Sequence, residues 1–364
     1  MRIGIDARCI GDHFPGIGRY ITSLIHAMAQ LEHGHELVIL HNPLTPAMRY
    51  QLAALPGVMF VPLRSGPFAP QQQIEIPWRI RQLGLDLFHA PYFIRPYLNL
   101  PCPSVTTIYD LLGHYFPQQL TWRGRLLYRV LLGLAIRRST RLICISEATR
   151  HDLLHHYRLA PERVAVTPLA AGPHFCPQPE DVCAQVRQRY NLPDQYLLYL
   201  GSNKPHKNLE RLVQAWARVQ HPAYTLVLAG HDDRQHTELD RLIAAQSSRI
   251  RRIPNVAEAD LPVLYSAATC FVFLSTYEGF GLPPLEALAC GTPVLCSESS
   301  SLPEVVGDAA RLVNPWDVDA IAQGMADLLD QPAMREELRQ RGLARAAQFS
   351  WRRTAQQTLA VYAT

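Results

Sequence analysis

The chain has 364 residues, 48% of them hydrophobic and 18% charged, with a formal net charge of +4 at neutral pH. This length exceeds what one hydrophobic core ordinarily serves, so two domains are expected, and the composition excludes a disordered or fibrous chain. The small net charge is too weak by itself to argue for nucleic acid.

The start, "MRIGIDARCIG", has no apolar core or small-residue cleavage site of a signal peptide, and no stretch approaches eighteen apolar residues. A cytoplasmic protein without a membrane span is the expectation. The eight cysteines, Cys9, Cys102, Cys144, Cys176, Cys183, Cys270, Cys290 and Cys296, form no CxxC pair and mostly lie in apolar stretches such as "RLICIS". They read as buried thiols of a reducing compartment.

In chain order, "RIGID" predicts a strand and "RYITSLIHAMAQL" a helix, with Ile21, Leu24, Ile25 and Met28 at helical spacing. Further apolar runs follow in "ELVIL", "VMFVPL", "LDLFHA", "SVTTIYD", "RLICIS" and "RVAVTP", several of them separated by helix-length segments. Such alternation predicts an α/β domain with a largely parallel sheet. Pro-bearing, polar sequence around residues 172 to 195 breaks the rhythm. The pattern then restarts with "YLLYLG", "NLERLVQAWARV", "TLVLAG", "IRRIPNV", "CFVFLS" and "PVLCS". The expectation is two Rossmann-like domains, residues 1–175 and 190–349, with ligands at the carboxyl ends of their strands and a deep cleft between them.

The second half carries "YEGFGLPPLEALACGTPV", residues 277 to 294. "CFVFLS" before it reads as a buried strand and "PPLEALAC" as a short helix, with Pro283 and Pro284 suited to its first turn and Gly291 to the left-handed position after its last. Glu278 then falls in the loop and Glu286 in the first helical turn. Exposed amides at a helix start attract phosphate, and Gly279 and Gly281 let backbone approach a ligand closely. Phosphate and hydroxyl recognition side by side suit a sugar nucleotide; for either glutamate alone, complementing the helix dipole is the plainer explanation.

This stretch is similar to the signature of the retaining glycosyltransferases of family four, which have the GT-B fold. "DLFHAPYF", "ISEATRHDLL", "YLGSNKPHKNLERLVQAW", "LPVLYSAATCFVFLS" and "SSSLPEVVGDAA" continue the resemblance in order. The subgroup it most resembles contains bacterial O-antigen mannosyltransferases. The resemblance implies a metal-independent, retaining hexosyl transfer. The donor is a nucleotide sugar, with GDP-mannose as the subgroup's guess and a UDP or dTDP sugar as the alternative. The acceptor is a saccharide or lipid-linked saccharide. It implies that Glu278 contacts the donor sugar and Glu286 the ribose, with Phe280 and Leu282 in the same donor loop and Val256 near the base. It places the C-terminal helix, residues 350–364, back on the acceptor-binding first domain, and leaves no separate cofactor and no nucleic acid among the partners.

In "PGIGRY", Gly16 and Gly18 lie between the first strand and helix, where a turn and a diphosphate contact are both open; the GxGxxG fingerprint of dinucleotide enzymes fails at Ile21. That failure disfavors a nicotinamide-dependent oxidoreductase. In "GSNKPHKN", Lys207 matches the family's phosphate-binding lysine, with Ser202 and Lys204 beside it, and lysine charge suits a departing diphosphate. Asp110, at the end of "TTIYD", is the candidate catalytic group of the first domain or a cap of the segment after it. Tyr109 stands where relatives often have histidine, which keeps open a non-catalytic sugar-nucleotide-binding protein.

His151, His155 and His156 include an i, i+4 pair but no third ligand in a zinc spacing, and Asp317 to Asp319 fit a helix start better than a Mg²⁺ site, so no metal is expected. Residues 121–141 hold six arginines and no acid among apolar side chains. They read either as a helix packed on the sheet with a basic edge or as one in peripheral contact with the inner membrane.

Overall fold

A computed structural model describes residues 1–11, 15–43, 55–230 and 237–363 of the chain. It divides into two compact units, Met1–Leu169 with Ser350–Thr364, and Ala170–Phe349.

The first unit runs β1 (Arg2–Asp6), α1 (Pro15–Ala29), β2 (Glu36–His41), β3 (Val58–Pro62), α2 (Gln72–Leu83), β4 (Leu87–Ala90), β5 (Ser104–Ile108), α3 (Leu112–Tyr115), α4 (Trp122–Arg138), β6 (Arg141–Cys144), α5 (Glu147–Tyr157) and β7 (Val164–Val166). Its strands form one sheet in the order β3-β2-β1-β4-β5-β6-β7, with every pairing parallel. β4 and β5 are buried along their whole length, as strands covered on both faces must be.

The second unit runs α6 (Glu180–Arg189), β8 (Tyr196–Leu200), α7 (Leu209–Arg218), β9 (Thr225–Ala229), α8 (Thr237–Ala245), β10 (Ile250–Ile253), α9 (Leu261–Ala267), β11 (Cys270–Phe273), α10 (Leu282–Ala289), β12 (Val294–Ser297), α11 (Leu302–Val306), β13 (Arg311–Val313), α12 (Val318–Asp330) and α13 (Pro332–Ala346). Its parallel sheet has the order β10-β9-β8-β11-β12-β13. The apolar stripe of α7, Leu209, Leu212, Val213 and Trp216, is buried in this unit's core. Phe175 also packs there, its ring 6.0 Å from that of Tyr265.

The last helix, α14 (Trp351–Tyr362), returns to the first unit and packs along α1. Ser350 caps it by accepting from the amide of Arg353, and the Thr354 hydroxyl donates to the Pro168 carbonyl at 2.6 Å. At its far end Tyr362 closes a buried polar chain. His89 Nδ1 lies 2.6 Å from the Tyr362 hydroxyl, His89 Nε2 lies 2.9 Å from Thr107 Oγ1, and Thr107 Oγ1 lies 3.2 Å from the Tyr20 hydroxyl.

Burial, with the charge of Arg95 adding to it, pushes the His89 imidazole down to about 3. The unfolded chain takes up this proton near pH 6.5 and the folded chain does not, so the stability from a neutral His89 is complete above about pH 6.5. It is lost as pH falls through the window down to about 3, by at most about 1.4 kcal/mol per pH unit. His89→Gln is expected to be less stable than wild type at pH 7.5, yet to lose melting temperature less steeply between pH 6.5 and 4. Parallel slopes in thermal melts of the two proteins would remove His89 as the source.

Candidate active site

In each sheet the strand order reverses once, between β1 and β4 and between β8 and β11. Loops leaving the carboxyl ends of strands on either side of such a reversal diverge and open a crevice. In the second unit the loops after β8 and β11 are the "GSNKPHKN" and "TYEGFG" segments.

Local chemistry fixes both loops. The Tyr199 hydroxyl donates to the Ser202 carbonyl at 2.7 Å, holding the start of the first loop. Gly230, at φ +124°, passes so close that a Cβ there would lie 2.2 Å from the Gly201 carbonyl oxygen; only glycine fits. Residues Pro205–Lys207 form a 3₁₀ turn and Asn208 follows in the left-handed region at φ +62°. Its side-chain amide donates to the carbonyls of Leu274 (3.2 Å) and Pro315 (2.7 Å), and Arg211 donates back to its oxygen at 3.0 Å. The Thr276 amide donates to the His206 carbonyl at 2.8 Å, tying the two loops together.

This tie brings Lys207 and Glu278 into contact. Lys207 Nζ lies 2.5 Å from Glu278 Oε1, with both side chains only about one-seventh exposed, at 16% and 14%. The ammonium also sits 5.1 Å from the centre of the Phe273 ring, a cation–π position. The Glu278 charge adds to burial in raising the Tyr199 hydroxyl and the Cys296 thiol above their usual values. Serines of the segment after β12 hold the glutamate loop from behind. The Ser300 hydroxyl lies 2.7 Å from the Glu278 carbonyl oxygen, and the Ser301 hydroxyl 2.9 Å from that oxygen and 2.7 Å from the Phe280 carbonyl. This clamp was missed in the sequence; its signal was the triplet Ser299–Ser301 before a Leu-Pro helix start.

Gly281 caps α10 at φ +117°, where a Cβ would also meet the Leu302 side chain at 2.7 Å. The first helical residue is Leu282, followed by Pro283 and Pro284, and Gly291 follows the helix at φ +72°. Two corrections to the sequence expectation result. The prolines have no N–H, so this helix start has fewer backbone donors to offer an anion than a full first turn would. Glu286 lies in the second turn, because the helix begins at Leu282. It is 2% exposed, and the Tyr265 hydroxyl donates to its Oε2 at 3.2 Å.

Ser202 is half-buried and Lys204 exposed at the start of the 3₁₀ turn, where the Lys204 carbonyl accepts from the Lys207 amide at 2.9 Å. Val256, after β10, packs half-buried against the core. A cavity of about 120 Å³ opens at the ends of β8, β9 and β10, lined by Tyr199, Asn203, Gly230, Arg252 and Pro254 among others. A larger one, about 470 Å³, lies between residues 30–33 and α14 in the first unit and touches none of the candidate residues.

In the first unit, Gly16 and Gly18 sit inside the first turn of α1 rather than ahead of the helix, which begins already at Pro15. A proline at the first helical position is pre-set for that start. Gly16 is exposed, with open space around the position of a Cβ. Asp6 and Arg8, at the end of β1, form a buried bidentate pair (2.8 and 2.7 Å), and Arg8 also binds the carbonyls of Ser65 and Gly66 and the side chain of Gln72. The alternating charges of "IDAR" were its only signal.

Asp110, half-buried after β5, accepts from the Leu112 amide through Oδ1 at 2.9 Å and so does cap the next segment. Its charge also reaches Tyr92 and Tyr128. Tyr109 turns inward: its ring packs edge-on against Tyr20 at 5.4 Å, and its hydroxyl is buried with no hydrogen-bond partner among the described residues. Burial, with Tyr20, Cys9 and Tyr92 nearby, holds that hydroxyl well above the usual phenol range, so it stays protonated at neutral pH.

His151, His155 and His156 lie on α5, with His156 stacked on His114 at 5.1 Å. Among the described residues there is no group of three or more His, Cys, Asp or Glu side chains placed to hold a metal ion. Asp317 caps α12, accepting from the amides of Asp319 and Ala320. No described helix is long and apolar enough to cross a membrane. Cys176 is exposed and Cys102 half-buried, and the other six cysteines are buried.

Two family models match the chain, Glycosyltransferase Family 4 over residues 15–171 and Glycosyl transferases group 1 over residues 185–345. O-antigen chain mannosyltransferase B of Escherichia coli is 32% identical over an alignment that covers 95% of each chain. The chain belongs to glycosyltransferase family 4. A second relative, the serotype-specific mannosyltransferase WbdA of Escherichia coli, is 34% identical over 60% of this chain, which spans 28% of that longer protein. The structure of Anabaena HepE in complex with UDP and glucose superposes with a TM-score of 0.80 at 18% identity, covering 100% of this chain and 99% of that one. It shows the GT-B fold. As a family 4 member the chain is a retaining GT-B glycosyltransferase, moving a sugar from a nucleotide-sugar donor to an acceptor.

Proposed function

We propose that the second unit binds the donor at its strand-order reversal and that Lys207 and Glu278 divide the work of transfer. Lys207 and the start of α10 hold the diphosphate, Glu278 accepts from hydroxyls of the donor sugar, Glu286 fixes the ribose, and Val256 lies by the base. Ser202 and Lys204 line the donor loop. The observation that carries this reading is the half-buried Lys207–Glu278 pair. A cation and an anion are held rigidly together at the place where a ligand with both a charged leaving group and hydroxyls would enter.

In the reaction, the bond between the sugar's anomeric carbon and the diphosphate oxygen breaks. The acceptor oxygen forms its bond on the same face, and the acceptor proton passes to the leaving phosphate. The protein contributes positioning and stabilisation of the developing negative charge. Asp110 is proposed as the catalytic group of the acceptor-binding first unit.

For the finer identity of the donor, the names of the sequence relatives support mannose, and GDP-mannose is one reading. A UDP sugar is the second, supported by the UDP bound to HepE and by UDP-glucose in another structure of that protein. Thermal unfolding with GDP-mannose, UDP-glucose, UDP-galactose and dTDP-glucose tests both, since a ligand of the folded state alone raises the free energy of unfolding by RT ln(1 + [L]/Kd). The true donor is expected to raise the midpoint by several degrees in wild type and much less in Lys207→Ala. A midpoint unmoved by all four would contradict the donor assignment.

A further inference from the structure

We infer that helices α2 and α4 form a docking face for an anionic lipid surface. The two helices share one face of the first sheet. Ile76 and Ile80 of α2 pack in one cluster with Val38, Leu40, Phe88 and Ala90, and Leu132 and Ile136 of α4 pack in another with Ile108, Leu142 and Cys144. The parallel register aligns these strand residues, Val38 and Phe88 with Gly4, Ala90 with Thr106, Thr106 with Leu142, and Ile108 with Cys144, so all project to the same side.

The outer surfaces of both helices are apolar as well. Ile74 and Trp78 of α2 are 77% and 53% exposed, and Trp122, Leu126, Leu127 and Val130 of α4 are 69%, 59%, 57% and 48% exposed. Trp122, Leu126 and Val130 follow at i, i+4 and i+8, one stripe on the side of α4 away from its buried Leu132, Ala135 and Ile136. Six of the twelve exposed large apolar side chains among the described residues thus come from two helices on the same face of the sheet. Isolated exposed apolar side chains are ordinary, but a concentration of them marks an interaction surface.

Charge selects the occupant. α4 carries Arg123, Arg125, Arg129, Arg137 and Arg138 and no acid. In each helix an arginine stacks on the exposed indole, Arg79 at 4.8 Å over Trp78 and Arg123 at 5.1 Å over Trp122. Tryptophan, leucine and arginine stems in one layer match the boundary between headgroups and acyl chains, with guanidinium groups reaching anionic headgroups. The acid in the first turn of α2, Glu75, is turned back to accept from the amides of Arg64 and Ser65. A second copy docked through α4 would set these arginines against their equivalents with no carboxylate from either helix.

Co-sedimentation of the full chain with phosphatidylcholine vesicles, with and without one-third phosphatidylglycerol, tests this without any donor or acceptor. Wild type is expected to bind the anionic vesicles at least about tenfold more tightly, and less so as salt rises. Removing three charges (Arg123→Gln, Arg129→Gln, Arg137→Gln) is expected to weaken that binding about a hundredfold. Trp122→Ser with Leu126→Ser, and separately Ile74→Ser with Trp78→Ser, is expected to weaken it about tenfold or more, with thermal unfolding unchanged because these side chains face solvent. Equal binding to both vesicle types, binding indifferent to the variants, or no binding would overturn the inference. So would self-association in sedimentation that the same substitutions abolish, which would assign the face to a second copy.

Discussion

Glu278→Gln is expected to lower kcat/KM by about 10²- to 10³-fold in a protein that melts close to wild type. The amide oxygen of glutamine can still accept from Lys207 Nζ, 2.5 Å from the carboxylate oxygen it replaces, so the loop stays tied and the ammonium keeps a partner. The proposed anionic acceptor for the donor's hydroxyls is lost. A carboxylate receiving hydroxyl hydrogen bonds in a water-poor site holds the sugar in one pose, and misplacing the reacting carbon has a steep cost. Initial rates of nucleoside diphosphate release at saturating acceptor, together with a thermal melt, check both halves. Turnover within about threefold of wild type would remove Glu278 from the site.

Lys207→Ala is expected to cost a similar factor in kcat, because in the proposed mechanism the ammonium acts on charge that develops as the diphosphate departs. Its effect on folding differs. With Lys207 gone, Glu278 keeps a carboxylate that is only 14% exposed and has lost its ion-pair partner. Removing one member of a buried pair destabilises more than removing both, and because this pair is partly solvated a cost of roughly 1–2 kcal/mol is the right scale. The double variant Lys207→Ala/Glu278→Gln is therefore expected to be more stable than Lys207→Ala alone while remaining inactive. Additive losses in the double-mutant cycle would mean that the two side chains do not act as a pair.

Much of this arrangement was legible in the sequence. Buried strands such as "YLLYL" and "CFVF" announce themselves by continuous apolar runs, and Gly281, Pro283, Pro284 and Gly291 each occupy the positions in α10 that their backbone constraints require. Glu278 and Lys207 were both singled out. Their contact was not, because 71 residues separate them and it depends on β8 and β11 being neighbours in the sheet. Local pattern specifies a strand; pairing order is a property of the whole domain.

The errors have similar causes. Glu286 falls in the second turn rather than the first because Gly281 already ends the loop and Leu282, one residue before the prolines, begins the helix. The extent of α1 was misjudged because glycines read as loop, yet Pro15 starts a helix that accommodates Gly16 and Gly18. The inward turn of Tyr109 had no local signal: it follows from Tyr20, 89 positions earlier, offering a ring edge in the core. The exposed side of α4 was ambiguous for a physical reason too. The helix is apolar on opposite faces, and only burial distinguishes the face that meets the sheet from the face that does not.

As a retaining glycosyltransferase, this chain cleaves a sugar nucleotide by transferring its sugar with retained configuration. The most direct measurement is nuclear magnetic resonance of the reaction of an α-linked donor from the GDP, UDP and dTDP series with a saccharide acceptor. The account predicts that one donor yields nucleoside diphosphate and an α-glycoside in equal amounts, and that neither forms with Glu278→Gln over the same period. A β-glycoside as first product, or no nucleoside diphosphate from any donor, would contradict it.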